Sequence, residues 1–268
     1  MQTNKKTKKP VKIVTKPYVS GALFDKHTVS SALKFFGALL GTTVALICLG
    51  STIVFDMPWL SAILNVGLLA AMYMLYMNTG SSKSVALITQ GEMLYNRRES
   101  GRTLNKDDEA ACYHPMKGFV NALLGTIPFL LIALILAFTA ERQLTPTGTL
   151  PSWINNFEDR VEIGAPLAHY HESDVLNLTA VCRMVIRMLL MPFMTLIGTE
   201  NYDALLVLER VSPLLVLLPA VCYGFGYTRG PGMRAVVHTS IRKNNRKRQK
   251  REKRAQRDRA MQQPEQLN

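Results

Sequence analysis

Residues 119–140 read FVNALLGTIPFLLIALILAFTA, and this stretch decides the fold. It contains no charged side chain. A helix of its length, rising about 1.5 Å per residue, covers the roughly 30 Å of hydrocarbon in a bilayer. A helix on the surface of a soluble domain would instead carry polar residues along one face. The stretch therefore predicts a transmembrane helix.

Further apolar stretches on both sides of it predict more membrane helices. Two of them, joined by Asp56, Met57 and Pro58, form a predicted transmembrane hairpin over residues 31–77. Two others form a predicted membrane helix pair over residues 178–228. We therefore predict an all-α integral membrane protein, a multi-pass helical bundle with four to five transmembrane helices.

Two glycines in the first apolar stretch have the spacing of a helix-packing motif. Gly37 and Gly41 lie four positions apart, so a helix places both on one face. Without Cβ atoms, that face admits the backbone of a second helix at short distance. The pair therefore predicts a close helix contact.

The charges are distributed unevenly along the chain. The formal net charge is +13, from 32 Lys and Arg against 19 Asp and Glu, and 13 of the basic residues follow Tyr227. Residues 1–30 form a basic arm, residues 78–118 a polar, amphipathic loop, and residues 229–268 a polybasic tail. Residues 141–177 are acidic and contain no lysine.

This distribution predicts the orientation of the chain. Loops rich in Lys and Arg remain in the cytoplasm. We therefore expect a protein of the cell membrane in which both termini and residues 78–118 are cytoplasmic, and residues 141–177 are extracytoplasmic.

Such an orientation requires an even number of crossings, and residues 178–198 are the weakest candidate for one. They contain Arg183 and Arg187, and an arginine at the centre of a membrane helix costs about 2.5–3.5 kcal/mol on insertion scales. One alternative is four crossings, with residues 178–198 interfacial or re-entrant. The other is five crossings, with the arginines snorkelling or paired with Glu209.

Four charged residues embedded in apolar sequence form the candidate site: Arg183, Arg187, Glu209 and Arg210. Charges at membrane depth face the interior of a bundle or a wet cavity. If the last two apolar segments form a hairpin, Arg187 is predicted to approach Glu209. The pair would then hold the hairpin together, or the arginines would line a polar groove for an anionic or peptide substrate.

The run HYHESD in the acidic segment supplies a second candidate site. It carries His169, His171, Glu172 and Asp174. In an extended strand, alternate residues lie on one side, so the two histidines and one carboxylate have the ligand types of a zinc site. The alternative is a solvated loop that caps the next helix. No cofactor is predicted beyond this candidate metal.

The tail is compatible with a helix over residues 236–261, with basic residues around its whole circumference. This pattern favours a solvated arm that binds anionic lipid headgroups, RNA or an acidic protein over an amphipathic membrane helix. No aromatic residue follows Tyr227, so neither base stacking nor sequence-specific recognition of nucleic acid is expected. The alternative is a tail that only fixes the orientation of the chain.

Three classes of function are compatible with these features. The first is a non-enzymatic accessory or structural membrane protein whose tail docks to an acidic surface, with another membrane protein as a second candidate partner. The second is a carrier. The basic tail and intramembrane arginine are similar to those of the YidC family of insertases, which implies a polar groove lined by Arg183 and Arg187 and a tail that meets ribosomal RNA. The third is a membrane enzyme that uses the outer-loop histidines.

Overall fold

The computed structural model describes residues 15–52, 58–140, 178–198 and 201–262. These residues form helices and their connections, without any strand. The helices in chain order are α1 (Thr28–Thr52), α2 (Pro58–Glu99), α3 (Lys106–Ala111), α4 (Lys117–Thr139), α5 (Leu178–Leu189), α6 (Met191–Ile197), α7 (Tyr202–Thr228) and α8 (Gly230–Gln262). The predicted acidic loop, with the candidate zinc ligands His169, His171, Glu172 and Asp174, lies outside the described residues.

Four of the described helices, α1, α2, α4 and α7, are long and apolar enough to cross a membrane. The bent pair α5 and α6 gives a fifth candidate if the two are counted as one span. The predicted fold class is therefore confirmed as an all-helical chain with several helices of membrane-spanning length.

Helices α1 and α4 run side by side in the same direction. The ring centroids of Phe36 and Phe129 lie 5.2 Å apart. One turn earlier on both helices, Gly125 packs against Ala32. Residue numbers therefore rise together along the contact, which is the signature of a parallel pair.

Helices α2 and α7 run in the opposite direction. Phe35, near the start of α1, contacts Tyr223 near the end of α7, with 5.1 Å between ring centroids. Phe35 also meets Tyr76 of α2 at 5.7 Å, and α2 begins six positions after α1 ends. The end of the bundle at which α1 and α4 begin and α7 ends is termed the tail end, and the opposite end the loop end.

Helices α5 and α6 enter the bundle from the loop end and return to it. They are bent by 88° at Leu190. Arg183 on α5 contacts Glu209, two turns into α7, whereas Leu190 lines the same cavity as Pro219, further along α7. Helix α6 then ends at Ile197, five positions before α7 begins. The bent pair is therefore compatible with a broken span or with a re-entrant segment.

The sequence explains both turns of this segment. Pro192 lies in the first turn of α6, where the helix does not need the N–H that proline lacks. The same missing N–H cannot continue the hydrogen bonds of α5, so α5 ends before Pro192. Gly198 ends α6 with a φ of 87°, a left-handed conformation that glycine adopts without strain. The chain can therefore reverse within one short helix.

Helix α2 continues far beyond the bundle. It has 42 residues and is about 63 Å long at 1.5 Å per residue, twice the thickness of a hydrocarbon layer. Residues 78–99 of the predicted amphipathic loop are helical and continue α2 without a break. The polar residues Thr79 and Ser81 do not end the helix, because their hydroxyls donate to the backbone carbonyls of Tyr76 and Asn78.

The tail is helical, as predicted. Helix α8 begins at Gly230 directly after α7, and the two form one helical rod from Asp203 to Arg259. Every side chain from residue 241 to residue 259 is exposed. The basic residues therefore project from a rod instead of a flexible chain.

The close helix contacts use other glycines than those predicted. A Cβ atom on Gly80 or Gly226 would collide with the backbone of the facing helix, so α2 and α7 approach each other through these glycines. Gly37 and Gly41 are exposed and have nothing within 4 Å of an added Cβ. Among the described residues, the predicted contact at Gly37 and Gly41 is therefore not formed.

Replacing Gly226 with valine tests this contact. The side chain has to displace the backbone of Met77, so Gly226→Val should lower the free energy of unfolding by about 1–3 kcal/mol. Gly37→Val is the control, because it makes the same substitution in a membrane helix with open space around it. Thermal unfolding of both variants in detergent gives the comparison; equal losses would contradict the close contact.

Candidate functional sites at the two ends of the bundle

Three charged residues form a buried cluster near the loop end. Oε1 of Glu209 accepts hydrogen bonds from Nε of Arg183 at 2.8 Å and from Nη2 of Arg187 at 2.6 Å. The side chain of Glu209 is 3% exposed, and those of the two arginines are 12% and 16% exposed. The predicted approach of Arg187 to Glu209 is therefore confirmed, and Arg183 binds the same oxygen.

The spacing of α5 explains this arrangement. Arg183 and Arg187 are one turn apart, so both face Glu209 on α7. The outward face of α5 exposes Leu178, Val181 and Met184. A helix that is charged inside and apolar outside suits hydrocarbon surroundings.

Arg210 is not part of the cluster. It is exposed and makes no ion pair with any residue that the structure describes. Adjacent helix residues point about 100° apart, so Arg210 cannot share the orientation of Glu209. The cluster therefore ties α5 to α7 through one carboxylate and two guanidinium groups.

A second buried ion pair lies at the tail end. Nζ of Lys117, the first residue of α4, donates to Oδ2 of Asp25 at 2.7 Å, and the side chains are 4% and 5% exposed. The ammonium also donates to the backbone carbonyls of Ala110 and Ala111 at 3.0 and 3.2 Å. Lys117 thereby joins α4 to the end of α3 and to the segment before α1.

The Asp25 carboxylate is stabilised in its charged form. Burial acts to raise its pKa, but hydrogen bonds from Lys117 and from the Thr28 hydroxyl outweigh burial and hold the pKa below its ordinary value of 3.8. The pair therefore stays ionised at neutral pH.

Residues 15–27, termed the N-terminal strap, lie against the tail end. The Val19 N–H donates to the Gly91 carbonyl at 3.2 Å, and the Gly21 N–H donates to the Tyr113 carbonyl at 2.9 Å. A Cβ atom on Gly21 would collide with the backbone of residue 112. The described part of the predicted arm is therefore packed against α2 and the segment before α4.

A third cluster joins α2 to α8. Oε2 of Glu92 accepts a hydrogen bond from Nη2 of Arg234 at 2.7 Å, and Nε2 of His238 lies 2.6 Å from Oε1 of the same carboxylate. Arg234 and His238 are one turn apart on α8. The contact fixes the first two turns of α8 against the part of α2 that extends beyond the tail end.

Two further features of the described residues bear on catalysis and metal binding. Cys112 is fully buried, and burial raises the pKa of its thiol, so it is a poor nucleophile. No group of three or more His, Cys, Asp and Glu with the geometry of a metal site occurs in the described part of the chain. The HYHESD run lies outside that part and stays a prediction.

Sequence reasoning missed both tail-end clusters. Lys117 precedes the most apolar stretch of the chain. Its position at the end of a predicted membrane helix was the one indication that it could form an ion pair there. The spacing of Arg234 and His238 was the signal for a shared partner on a neighbouring helix. Neither pattern identifies Asp25 or Glu92.

Removing the charge of Glu209 tests the loop-end cluster. Glu209→Gln takes away the anion that both arginines contact and should cost about 3 kcal/mol of stability. Arg210→Gln is the control, because it changes an exposed charge on the same helix. Replacing Arg183, Arg187 and Glu209 together by leucine should recover part of the loss. Thermal unfolding in detergent that shows equal effects for Glu209→Gln and Arg210→Gln would contradict the cluster.

The pH dependence of stability tests the Asp25 pair. Because the pKa of Asp25 is lowered in the folded protein, its contribution is complete above 3.8 and is lost as the pH falls through the folded-state value. Asp25→Asn should destabilise the protein at pH 7. It should also reduce the loss of folding stability between pH 5 and pH 3. Asp107→Asn, which removes an exposed partner of Lys26, should change neither; thermal melts across this pH range that show the same slope for both variants would contradict the prediction.

No protein-family model, no curated protein and no solved structure matches this chain. The resemblance to the YidC family therefore gains no support from these comparisons. Contacts, burial and charges within the described residues carry the functional proposals.

Proposed function

We propose that this chain is a non-enzymatic membrane anchor that holds a rigid basic helix for binding the phosphate backbone of RNA. The observation that carries the proposal is α8, an exposed basic helix that continues α7 and is fixed to α2 through Glu92. The orientation of the chain, the length of α8 and the charge distribution on α8 each support one part of this proposal.

The proposed orientation has four crossings and a re-entrant pair. Helices α1, α2, α4 and α7 cross the membrane, α5 and α6 enter from the outside, and the tail end is cytoplasmic. Two observations support this. The described chain begins at the tail end, and α8, which carries the most concentrated positive charge, extends from the same end.

The rigidity of α8 argues against its own membrane as the partner. Ile241 is 13 positions beyond Thr228, so the exposed basic part begins about 20 Å from the end of α7 and extends to about 45 Å. The Debye length at physiological ionic strength is about 8 Å. Lipid headgroups around α7 are therefore too distant for most of these charges.

The distribution of charge favours RNA over an acidic protein. Residues 241–259 contain 11 basic and 2 acidic residues, placed around the whole helix. A flat acidic surface contacts one face of a helix, whereas the phosphates of a folded RNA can surround it. This segment has no aromatic residue that could stack on bases, so we expect it to contact the phosphate backbone of the RNA.

The alternative functions have less support. The carrier hypothesis needs arginines that line an open polar groove, whereas Arg183 and Arg187 are mostly buried and bind Glu209. The enzyme hypothesis depends on histidines outside the described residues.

Binding of a folded RNA hairpin to the full-length protein in nanodiscs of uncharged lipid tests the proposal. If six or more phosphates are contacted, the affinity should fall about 10³-fold between 50 and 200 mM salt. Lys247→Gln, Arg251→Gln and Arg254→Gln together should weaken binding and reduce the salt dependence. The matched control is Lys247→Arg, Arg251→Lys and Arg254→Lys, which retains every charge. Tighter binding of polyglutamate or anionic vesicles than of RNA would overturn the proposal.

A further inference from the structure

A polar cavity of about 210 Å³ lies at the tail end, between the N-terminal strap and helices α1, α2, α3, α4 and α7. Two of the residues that line it have buried polar atoms without a hydrogen bond to any described residue. These are Oδ1 of Asn121, whose residue is 8% exposed, and the hydroxyl of Tyr227, whose residue is 1% exposed. The Tyr227 hydroxyl lies near the backbone of His114 without completing a hydrogen bond.

Buried polar atoms of this kind are unusual, because an unpaired donor or acceptor in the interior costs free energy. A ligand or ordered molecule with hydrogen-bonding groups can return that free energy by pairing with them. The floor of the cavity therefore has capacity for hydrogen bonds that the described residues do not use.

One wall of the cavity carries an ion pair whose charges cancel. Lys117 donates to Asp25 and to backbone carbonyls, and the second oxygen of Asp25 accepts a hydrogen bond from Thr28. The ammonium of Lys117 therefore has no donor left for a ligand.

The rim carries one open charge of each sign. Lys83 of α2 and Asp108 of α3 line the cavity, are exposed, and make no ion pair with a residue that the structure describes. Together with the Lys117 and Asp25 pair, the formal charge of the lining is zero when His27 is neutral. Such a lining matches a zwitterion and repels neither of its groups, whereas the two carboxylates disfavour a polyanion.

We propose that this cavity binds a free α-amino acid. The ligand carboxylate pairs with Lys83, its ammonium pairs with Asp108, and a polar side chain reaches Asn121 and Tyr227. The volume of about 210 Å³ is sufficient for a small molecule of this class. Drug-sized molecules occupy larger pockets, of about 300–1,000 Å³.

The test uses the full-length protein in nanodiscs of uncharged lipid and measures Tm with each of the common amino acids at 10 mM. Inorganic phosphate and adenosine monophosphate at the same concentration are the polyanion arms. At least one amino acid should raise Tm in a saturable manner, and calorimetric titration should give its Kd. Neither polyanion should do so. A failure of every amino acid, or a larger shift with phosphate or adenosine monophosphate, would overturn the proposal.

Variants locate the site. Lys83→Gln and Asp108→Asn should each raise Kd about tenfold or more, because each removes a charged hydrogen-bond partner. Glu99→Gln, an exposed acidic residue at the end of α2 and outside the cavity lining, should leave Kd unchanged. Asn121→Leu should abolish binding while leaving the ligand-free Tm unchanged or higher, because it removes an unpaired buried atom. Unaltered Kd values in these variants would refute the assignment.

Discussion

A charged side chain that leaves water loses several kcal/mol of hydration unless an opposite charge and hydrogen bonds replace it, and the arrangement of this chain depends on that cost. At the loop end, Glu209 holds Arg183 and Arg187 and so determines where α5 enters the bundle. At the tail end, Lys117 holds Asp25. Apolar side chains give little direction inside a membrane, because lipid and protein interior are equally apolar. The ion pairs therefore fix positions that apolar packing leaves open.

The long apolar runs made the number and approximate position of the membrane-length helices predictable, since a span needs about 20 apolar residues whatever its partners are. The helix contacts were less predictable. The spacing of Gly37 and Gly41 is a property of one helix alone. A contact also needs a complementary surface on a second helix, and Gly226 of α7 meets such a surface in the backbone of α2.

The same distinction explains which charged contacts were predictable. Arg187 and Glu209 stand out because each interrupts an apolar run, so the cost of leaving either unpaired indicates a partner on the neighbouring segment. Asp25 and Glu92 lie in polar surroundings, where a charge needs no partner. Their partners are also 92 and 142 positions away along the chain. Only the folded arrangement of the strap, α2 and α8 shows that these carboxylates are buried.

The cavity and the basic helix share the junction between α7 and α8, so a ligand in one raises the question of its effect on the other. A ligand changes binding elsewhere only if it has different affinities for two arrangements of the protein. At this junction Tyr227 stacks on Tyr113 with 5.3 Å between ring centroids, and three residues later Gly230 packs against Ser84. These contacts hold the start of α8 against α2 and the end of α7 against the segment before α4. A ligand that fits the cavity without breaking them leaves α8 in place, so the two binding events are expected to be independent.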